Sequence, residues 1–336
     1  MRNFAKQPPK EQLPYFQEAA KKMGGVDPIV TEKDFWVCWA LDVIFSHPDL
    51  APNLIFKGGT SLSKVYGVIK RFSEDIDLTI MRELVDKHSK GTSKQPGKVK
   101  ERCAQAVQVH ILPILQKAFS SECPQVVATD LFMDPDDPDG ATVIFKYPKD
   151  RRGDDEKRNA YIKDRVKLEF GALGALEPQN KKAVAPYIVD LAELTKKETG
   201  LLTVLSIHRT FWEKVTILHS IQNAAADKTL RKEAMSRHYY DTAMMTRDAA
   251  LIKACCADPA LLASVVENKR ENFSVAWNDW YPTATMGTMK LVPGKEHLDI
   301  LRGDYEKMES EMLFGDAPTF DEVLASLKTL EDQINA

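Results

Sequence analysis

The chain has 336 residues, with 46 Lys and Arg against 49 Asp and Glu and a formal net charge of −3. This length accommodates roughly two domains of average size, and the balanced charge excludes the uniformly basic surface of a general nucleic-acid binder. The five cysteines show no C-x-x-C spacing and are odd in number, which favours reduced thiols in the cytoplasm over a disulfide framework or a zinc site. The N-terminus is polar and no apolar run approaches membrane length, so we expect no signal peptide and no membrane span.

Two helices are predicted ahead of the first strand. The first runs from about Glu11 to Met23, where Gly24 and Gly25 end it. Thr31, with Asp34 three residues later, has the pattern of a capping box that opens the second helix. The broad apolar face of this second helix is interpreted as core. It consists of Phe35, Cys38, Trp39, Leu41, Ile44 and Phe45.

A glycine pair follows the first predicted strand. The apolar run Leu54–Phe56 is short enough for a buried strand, and Gly58 and Gly59 then permit a sharp turn. Apolar residues recur at helical spacing from Leu62 to Ile69, so the glycines lie at a helix N-terminus, where free N–H groups favour an anion such as phosphate. Taken alone, such a glycine pair at a helix start is more often only a turn.

The next strand carries two carboxylates. Residues Asp75–Ile80 alternate with a period of two, which places Ile76, Leu78 and Ile80 on one face and Asp75 and Asp77 on the other. Two neighbouring carboxylates repel each other unless a cation lies between them, and a divalent metal is the usual solution. A chance acidic pair on an exposed strand is the alternative, and the glycine turn one helix upstream favours the metal.

These motifs resemble a known family. The order strand, Gly-Gly-Thr, helix, Asp-x-Asp resembles the nucleotidyltransferases of the DNA polymerase β superfamily, and the sequences KGGTSL and RFSEDIDL resemble its AbiEii/MenT toxin branch. The resemblance implies a nucleoside triphosphate as substrate and Mg²⁺ or Mn²⁺ on Asp75 and Asp77. It further implies that the nucleotide is bound by residues of the turn and of the segment before the strand. These are Gly58, Gly59, Thr60, Ser61, Arg71 and Ser73.

The segment after this strand is basic and then helical. Arg82 to Arg102 carries seven basic and three acidic side chains and is predicted to be an exposed loop or helix start. A surface that binds a polyanion and a plain solvated segment are equally consistent with this composition. A helix is expected from about Val99 to Ala118, with a kink at Pro113.

Two strands, Gln125–Phe132 and Ala141–Tyr147, are predicted on either side of the sequence MDPDDPDG. The aspartates suggest a calcium loop, but Pro138 occupies a ligand position and Phe145 stands where the closing glutamate belongs. A hairpin turn is therefore the better prediction.

A third carboxylate lies on a later strand. A charged loop is predicted from Arg151 to Lys167, and it leads into an alternating run that puts Glu169 on a polar face. If this run pairs beside Asp75–Ile80, three carboxylates converge, as two-metal phosphoryl-transfer sites require. The superfamily resemblance implies the same role for Glu169, and an exposed strand glutamate is the alternative.

The second half of the chain is predicted to be helical. A short strand, Tyr187–Asp190, and the charged sequence LTKKETG place a domain boundary at residue 195. In the helix predicted from Ser206 to Ile221, Lys214 falls within the apolar stripe, and in the helix from about Ser236, Asp241 does the same. An unpaired charge there is costly, so the residues alone leave a buried ion pair and a functional role equally open. Asp248, on the same side as Asp241, is interpreted as structural.

The resemblance extends through this half. RTFWEK and RHYYD resemble later motifs of the toxin branch, which implies that Lys214 contacts the triphosphate and that Asp241 orients it or the acceptor hydroxyl. Three further charged residues and the segment Glu32–Trp36 are weaker candidates for contact with the substrate or RNA. A surface or packing role is the alternative for each of them. The charged residues are Arg209, Arg237 and His238. Near the C-terminus, Trp277, Trp280 and Tyr281 either stack bases or belong to the core, and Thr319 with Glu322 opens a capped terminal helix.

The expected fold is therefore α/β (α+β): a polymerase-β-like nucleotidyltransferase core with a mixed sheet in residues 1–195, and a helical domain in residues 196–336 that closes the active-site cleft. The resemblance implies a metal-dependent transferase that adds nucleotides to RNA at a tRNA 3′ end, blocks translation, functions in phage defence and is countered by an antitoxin encoded nearby. Transfer to a protein or small-molecule hydroxyl is one alternative. A nucleotide-binding protein that is toxic by sequestering a partner is another.

Overall fold

The computed structural model describes residues 1–73, 75–149, 163–191, 198–225, 235–275, 279–313 and 315–336. The chain forms two compact units, one of residues 1–65 and 72–205, the other of residues 66–71 and 206–336. The predicted boundary at residue 195 and most of the charged loop predicted from Arg151 lie outside the described residues.

A mixed sheet of seven described strands forms the centre of the first unit. The strands are β1 (Leu54–Lys57), β2 (Asp75–Ile80), β3 (Leu131–Met133), β4 (Thr142–Phe145), β5 (Val166–Gly171), β6 (Gln179–Lys182) and β7 (Leu202–Leu205), in the spatial order β3-β4-β5-β2-β1-β7-β6. β2 is parallel to β5, and β1 is parallel to β7, whereas the other neighbours are antiparallel. The predicted mixed α/β fold is confirmed.

Seven helices accompany this sheet. Among the described residues they are α1 (Arg2–Ala5), α2 (Pro9–Lys22), α3 (Pro28–Ser46), α4 (Gly58–Lys64), α5 (Arg82–His88), α6 (Pro96–Ala106) and α7 (Leu112–Glu122). A π-helical turn, Val107–Ile111, joins α6 to α7 immediately before Pro113, where a kink is predicted. Proline has no N–H to donate, so an irregular turn at this point is expected.

The core lies between α3 and one face of the sheet. Nearly all of α3 is buried, and so are Ile76, Leu78 and Leu168 on the central strands. Trp36 and Trp39 contact aromatic rings of β4 and α7, which confirms the prediction that the aromatics of α3 are core. The apolar residues of the alternating strands thus face α3, and their polar residues are left on the other face of the sheet.

Some predicted boundaries are wrong. The helix α3 begins at Pro28 because Asp27 caps it by accepting from Ile29 N–H, and the Thr31 hydroxyl instead donates to backbone carbonyls. The helix α4 ends at Lys64 and does not reach Ile69, and residues 66–71 belong to the second unit.

The strand predictions need two corrections. Only Leu131–Met133 of the run predicted from Gln125 is a strand, although its hairpin with β4 is confirmed. Residues Tyr187–Asp190 form a turn, and the edge strand is β6, which pairs with β7. The sequence of β6 is QNKK, which lacks the alternating apolar residues from which a strand is predicted.

The second unit is helical in its described part. Its helices are α8 (Ile207–Asn223), α9 (Ser236–Met245), α10 (Ala249–Cys256), α11 (Pro259–Phe273), α12 (Lys295–Met312) and α13 (Phe320–Asn335). Asp248 caps α10 by accepting from two backbone N–H groups, which confirms its structural role. The predicted capping box of Thr319 and Glu322 at α13 is also confirmed. Trp277 lies outside the described residues, while Trp280 is exposed and Tyr281 is buried.

Within the described residues, no single helix has the length and apolar character needed to cross a membrane. By those two criteria alone, α10 and α11 pass together as a pair bent by 78°.

His219 is a buried neutral imidazole in α8. Its Nδ1 accepts a hydrogen bond from the Lys290 N–H at 3.2 Å, and its Nε2 lies 2.8 Å from the Thr283 hydroxyl. Burial, followed by the charge of Lys290, lowers the pKa of His219 to about 4. The folded protein therefore resists protonation of this ring.

We predict that the second unit loses stability between pH 7 and pH 5. In the unfolded chain the His219 pKa is about 6.5, so its contribution is fully present above that pH and is lost as the pH falls towards 4. The expected loss in free energy of unfolding is about 2 kcal/mol between pH 7 and pH 5. Urea titrations at both pH values measure this free energy. The loss should be about 2 kcal/mol smaller in His219→Gln than in the wild type, and it should be unchanged in the control His47→Gln. An unchanged dependence in His219→Gln would contradict the assignment.

Candidate functional site

The glycine turn is fitted to the side chain of Asp77. Gly58 begins α4 with a φ of +78°, a conformation that L-residues avoid. A Cβ at this position would lie 1.8 Å from Asp77 Oδ2. The bare backbone of Gly58 is therefore what allows the carboxylate to lie against the turn.

Strand pairing brings the predicted carboxylates to adjoining positions. In the parallel register of β2 and β5, Asp77 is the partner of Glu169, and Asp75 precedes Asp77 by two residues on the same face. The pairing on which the predicted convergence depends is thus confirmed. Partners on neighbouring strands are about 4.8 Å apart, and alternate residues of one strand are about 7 Å apart.

The donor chemistry at this position suits a divalent cation. Carboxylate oxygens are the ligands that Mg²⁺ and Mn²⁺ prefer, and the buried Oδ1 of Asp75 has no hydrogen-bond partner among the described residues. Such an orphaned acceptor costs about 1–3 kcal/mol unless a ligand satisfies it. In the described part of the chain, no three His, Cys, Asp or Glu side chains are placed so that they could hold a metal ion together. Metal binding therefore stays a prediction.

The hydroxyl groups of the turn hold its backbone in place. The Thr60 hydroxyl donates to the Asp75 carbonyl at 2.5 Å and lies 3.0 Å from the Ser73 hydroxyl. The Ser61 hydroxyl donates to the Gly58 carbonyl at 2.8 Å. Thr60 and Ser61 are buried, whereas Ser73 is partly exposed. Their hydrogen bonds fix the start of β2 relative to α4.

A second charged cluster lies within the second unit. The Arg71 guanidinium donates to both Asp241 oxygens, at 2.7 and 2.9 Å, and Lys214 Nζ lies 2.8 Å from Asp241 Oδ2. All three side chains are buried. The Lys214–Asp241 ion pair, one of the two alternatives left open by the sequence, is present. The partnership of Arg71 with Asp241 was not predicted, because Arg71 lies in a segment with no periodic signal.

The protonation of this cluster follows from burial and its charges. Burial alone would raise the pKa of Asp241, but Arg71 and Lys214 outweigh it and hold the pKa below its ordinary value. Burial, followed by the charges of Lys214 and Arg237, keeps the pKa of His238 well below its ordinary value. Asp241 is therefore an ionised carboxylate that positions two cations, and it is poorly suited to accept a proton.

The predicted site residues thus form two groups. Those in the first unit are Gly58, Gly59, Thr60, Ser61, Ser73, Asp75, Asp77 and Glu169, and those in the second are Arg71, Lys214 and Asp241. Among the weaker candidates, Arg209 is buried beside Glu213 and Ser264, and Arg237 is exposed.

The contacts of the segment Glu32–Trp36 favour a packing role over contact with the substrate. Lys33 is buried and donates to the Lys163 carbonyl at 2.9 Å. Asp34 is also buried, with Lys64 Nζ 2.6 Å from its Oδ1.

We predict that Asp241→Ala destabilises the second unit by about 3–5 kcal/mol, because it leaves the buried charges of Arg71 and Lys214 without their anion. The double variant Asp241→Ala with Lys214→Met should regain part of this loss, since it removes one of the uncompensated charges. Free energies of unfolding from urea titration provide the measurement. Asp248→Ala, which removes only a helix cap, serves as the control and should cost about 1 kcal/mol. Equal losses in Asp241→Ala and Asp248→Ala would refute the role given to the cluster.

Comparison with protein-family models matches residues 39–326 to the family described as the nucleotidyl transferase AbiEii toxin of a type IV toxin–antitoxin system. The matched span includes both groups of predicted site residues. Among solved structures, the chain is similar to MenT4, a nucleotidyltransferase toxin from Mycobacterium tuberculosis H37Rv, at 14% identity and a TM-score of 0.43, over 96% of this chain and 99% of that one. The comparison with curated proteins found no match.

Proposed function

Because the chain belongs to the AbiEii nucleotidyltransferase toxin family of type IV toxin–antitoxin systems, we propose that it transfers a nucleoside monophosphate from a nucleoside triphosphate to RNA, at the 3′ end of a tRNA. Nucleotides added there would block aminoacylation and stop translation in the cytoplasm, an arrest suited to phage defence. A cognate antitoxin encoded nearby would counter it. The fit of Asp77 against the glycine turn is the observation that carries the proposal.

Three carboxylates are proposed to hold the metal. Asp75 and Asp77 lie on one face of β2, and Glu169 is the neighbour of Asp77 on β5. When bound there, Mg²⁺ or Mn²⁺ would neutralise phosphate charge and activate the acceptor hydroxyl. The orphaned Oδ1 of Asp75 supports this assignment.

The phosphates are proposed to bind at the glycine turn. The N–H groups of Gly59 and Thr60 lie in the first turn of α4, where a helix has no carbonyl of its own to offer them, and they are suited to an anion. Ser73 adds a partly exposed hydroxyl. The hydrogen bonds of Thr60 and Ser61 keep these donors in place beside the carboxylates. Because the groups are already oriented, positioning and charge neutralisation lower the barrier without a covalent intermediate.

In the second unit, Lys214 and Arg71 are proposed to contact phosphate. Lys214 offers a compact positive charge, and Arg71 offers a planar fork suited to phosphate oxygens. Asp241 holds both cations in fixed positions and stays ionised.

We predict that Asp77→Asn reduces nucleotide transfer at least about 100-fold, since an amide offers one neutral oxygen in place of a carboxylate. The assay combines purified protein, total RNA and Mg²⁺ with each labelled nucleoside triphosphate in turn. Lys214→Ala should cause a similar loss and should likewise abolish growth arrest. Asp49→Asn, a change at an exposed aspartate, should have no effect. Full toxicity in Asp77→Asn would exclude the mechanism, and label in a protein band rather than in RNA would exclude the RNA acceptor.

We also predict that Gly58→Ala abolishes transfer, because its Cβ would displace the Asp77 carboxylate. Gly24→Ala is a matched control: Gly24 has a φ of +90°, and a Cβ there would meet nothing within 4 Å. Both variants should lose about 1–2 kcal/mol of stability from the left-handed backbone. Transfer assays at a temperature where both remain folded should show loss only in Gly58→Ala. Equal activity in the two variants would exclude a role for the contact with Asp77.

A further inference from the structure

A lysine that has no partner among the described residues lies beside Asp77. Lys57 ends β1, and its strand partner in β2 is Asp77. Lys57 is partly buried, yet its ammonium makes no hydrogen bond or ion pair to any residue that the structure describes. The buried lysines Lys64 and Lys214, in contrast, each face a carboxylate. A partly buried ammonium without an anion is costly, which suggests that a ligand supplies one.

A buried hydroxyl lies on the same face of the sheet. Thr79 continues the row of Asp75 and Asp77 along β2, about 7 Å beyond Asp77. Its side chain is 1% exposed, and its Oγ1 has no hydrogen-bond partner among the described residues. A buried hydroxyl left unsatisfied costs about 1–3 kcal/mol. This is a second polar group that lacks a partner.

Gly174 lies close to both of these groups. A Cβ there would lie 2.7 Å from Thr79 Oγ1 and 3.1 Å from Lys57 Nζ. The backbone of Gly174 is not in the left-handed region, so its conformation does not require glycine. Glycine is required because a Cβ would lie too close to these two groups. The ammonium and the hydroxyl therefore both lie near one point, which a Cβ at position 174 would occupy.

We propose that Lys57, Thr79 and Gly174 form a phosphate-binding subsite next to the carboxylates. An ammonium and a hydroxyl that face one point offer a charge-assisted hydrogen bond and a second donor, a combination suited to a phosphate oxygen. The phosphate belongs either to the nucleoside triphosphate or to the backbone of the acceptor RNA. That choice of sources rests on the proposed function, whereas the subsite itself rests on the three residues.

The test measures binding and transfer separately. Wild type, Lys57→Met and Thr79→Val are titrated with each of the four nucleoside triphosphates and with total tRNA, in buffers with Mg²⁺ and with EDTA. Lys182→Met, at an exposed lysine of β6, is the control for loss of a strand lysine. Lys57→Met should weaken binding of at least one probe tenfold or more in both buffers, and Thr79→Val should weaken the same probe. The probe that is affected identifies the source of the phosphate.

Thermal unfolding separates this role from a structural one. Thr79→Val removes an unsatisfied hydroxyl and keeps the shape of the side chain, so it should melt at or above the wild-type temperature while it binds more weakly. Gly174→Ala should cause the same loss of binding without any change of charge. Gly97→Ala is its control, because a Cβ at Gly97 would meet nothing within 4 Å.

Wild-type affinity for every probe in both Lys57→Met and Thr79→Val would overturn the subsite, as would a wild type that binds none of the probes. A loss confined to buffer with Mg²⁺ would overturn it as well, because Lys57 would then act through the carboxylates. If binding depends on Lys57 but no labelled nucleotide reaches RNA, the subsite stands and the proposed function fails. If transfer occurs while binding is insensitive to both variants, the subsite alone is excluded.

Discussion

The contact between the Asp77 carboxylate and the bare backbone of Gly58 constrains the rest of the first unit. It requires that β1 end where it does, that the chain turn with a positive φ, and that β2 return antiparallel with Asp77 opposite Lys57. The Thr60 hydroxyl then fixes the Asp75 carbonyl to the same turn. Since the two aspartates alternate with buried residues on β2, the packing of Ile76 and Leu78 against the core holds both carboxylates on the opposite face.

This arrangement is unfavourable for folding alone and is held in place by the core. Two neighbouring carboxylates, the orphaned Oδ1 of Asp75 and the unpaired hydroxyl of Thr79 lie on one face of the central strands. The opposite face of the same strands is buried, and α3 beside it is nearly wholly buried. Burial of large apolar side chains stabilises by about 1.5–3 kcal/mol each, which offsets the cost of the polar face. Local conflicts of this kind are expected at functional sites.

Much of this could be predicted from local pattern. The alternation of β2 and β5 and the glycine pair before α4 are properties of short segments, so the strands and the turn were found. The register that puts Glu169 beside Asp77 could not be predicted from the sequence. Alternation fixes the face on which a residue lies, but not its partner on the next strand. The pairing of Lys64 with Asp34 and that of Arg71 with Asp241 join residues distant in sequence. Neither leaves a periodic signal.

Binding of a polyphosphate depends on local charges, because the chain as a whole is almost neutral. A net charge of −3 cannot draw a polyanion to the protein from a distance. Affinity for a polyphosphate must then come from a few cations in places of low dielectric, where each acts more strongly than it would in water. Arg71 and Lys214 meet this condition in the second unit, where one ionised aspartate fixes the positions of both. Lys57 meets it in the first unit with no anion of its own among the described residues. In both units, therefore, cations lie beside groups that are already rigidly placed, and a phosphate is an anion that such cations suit.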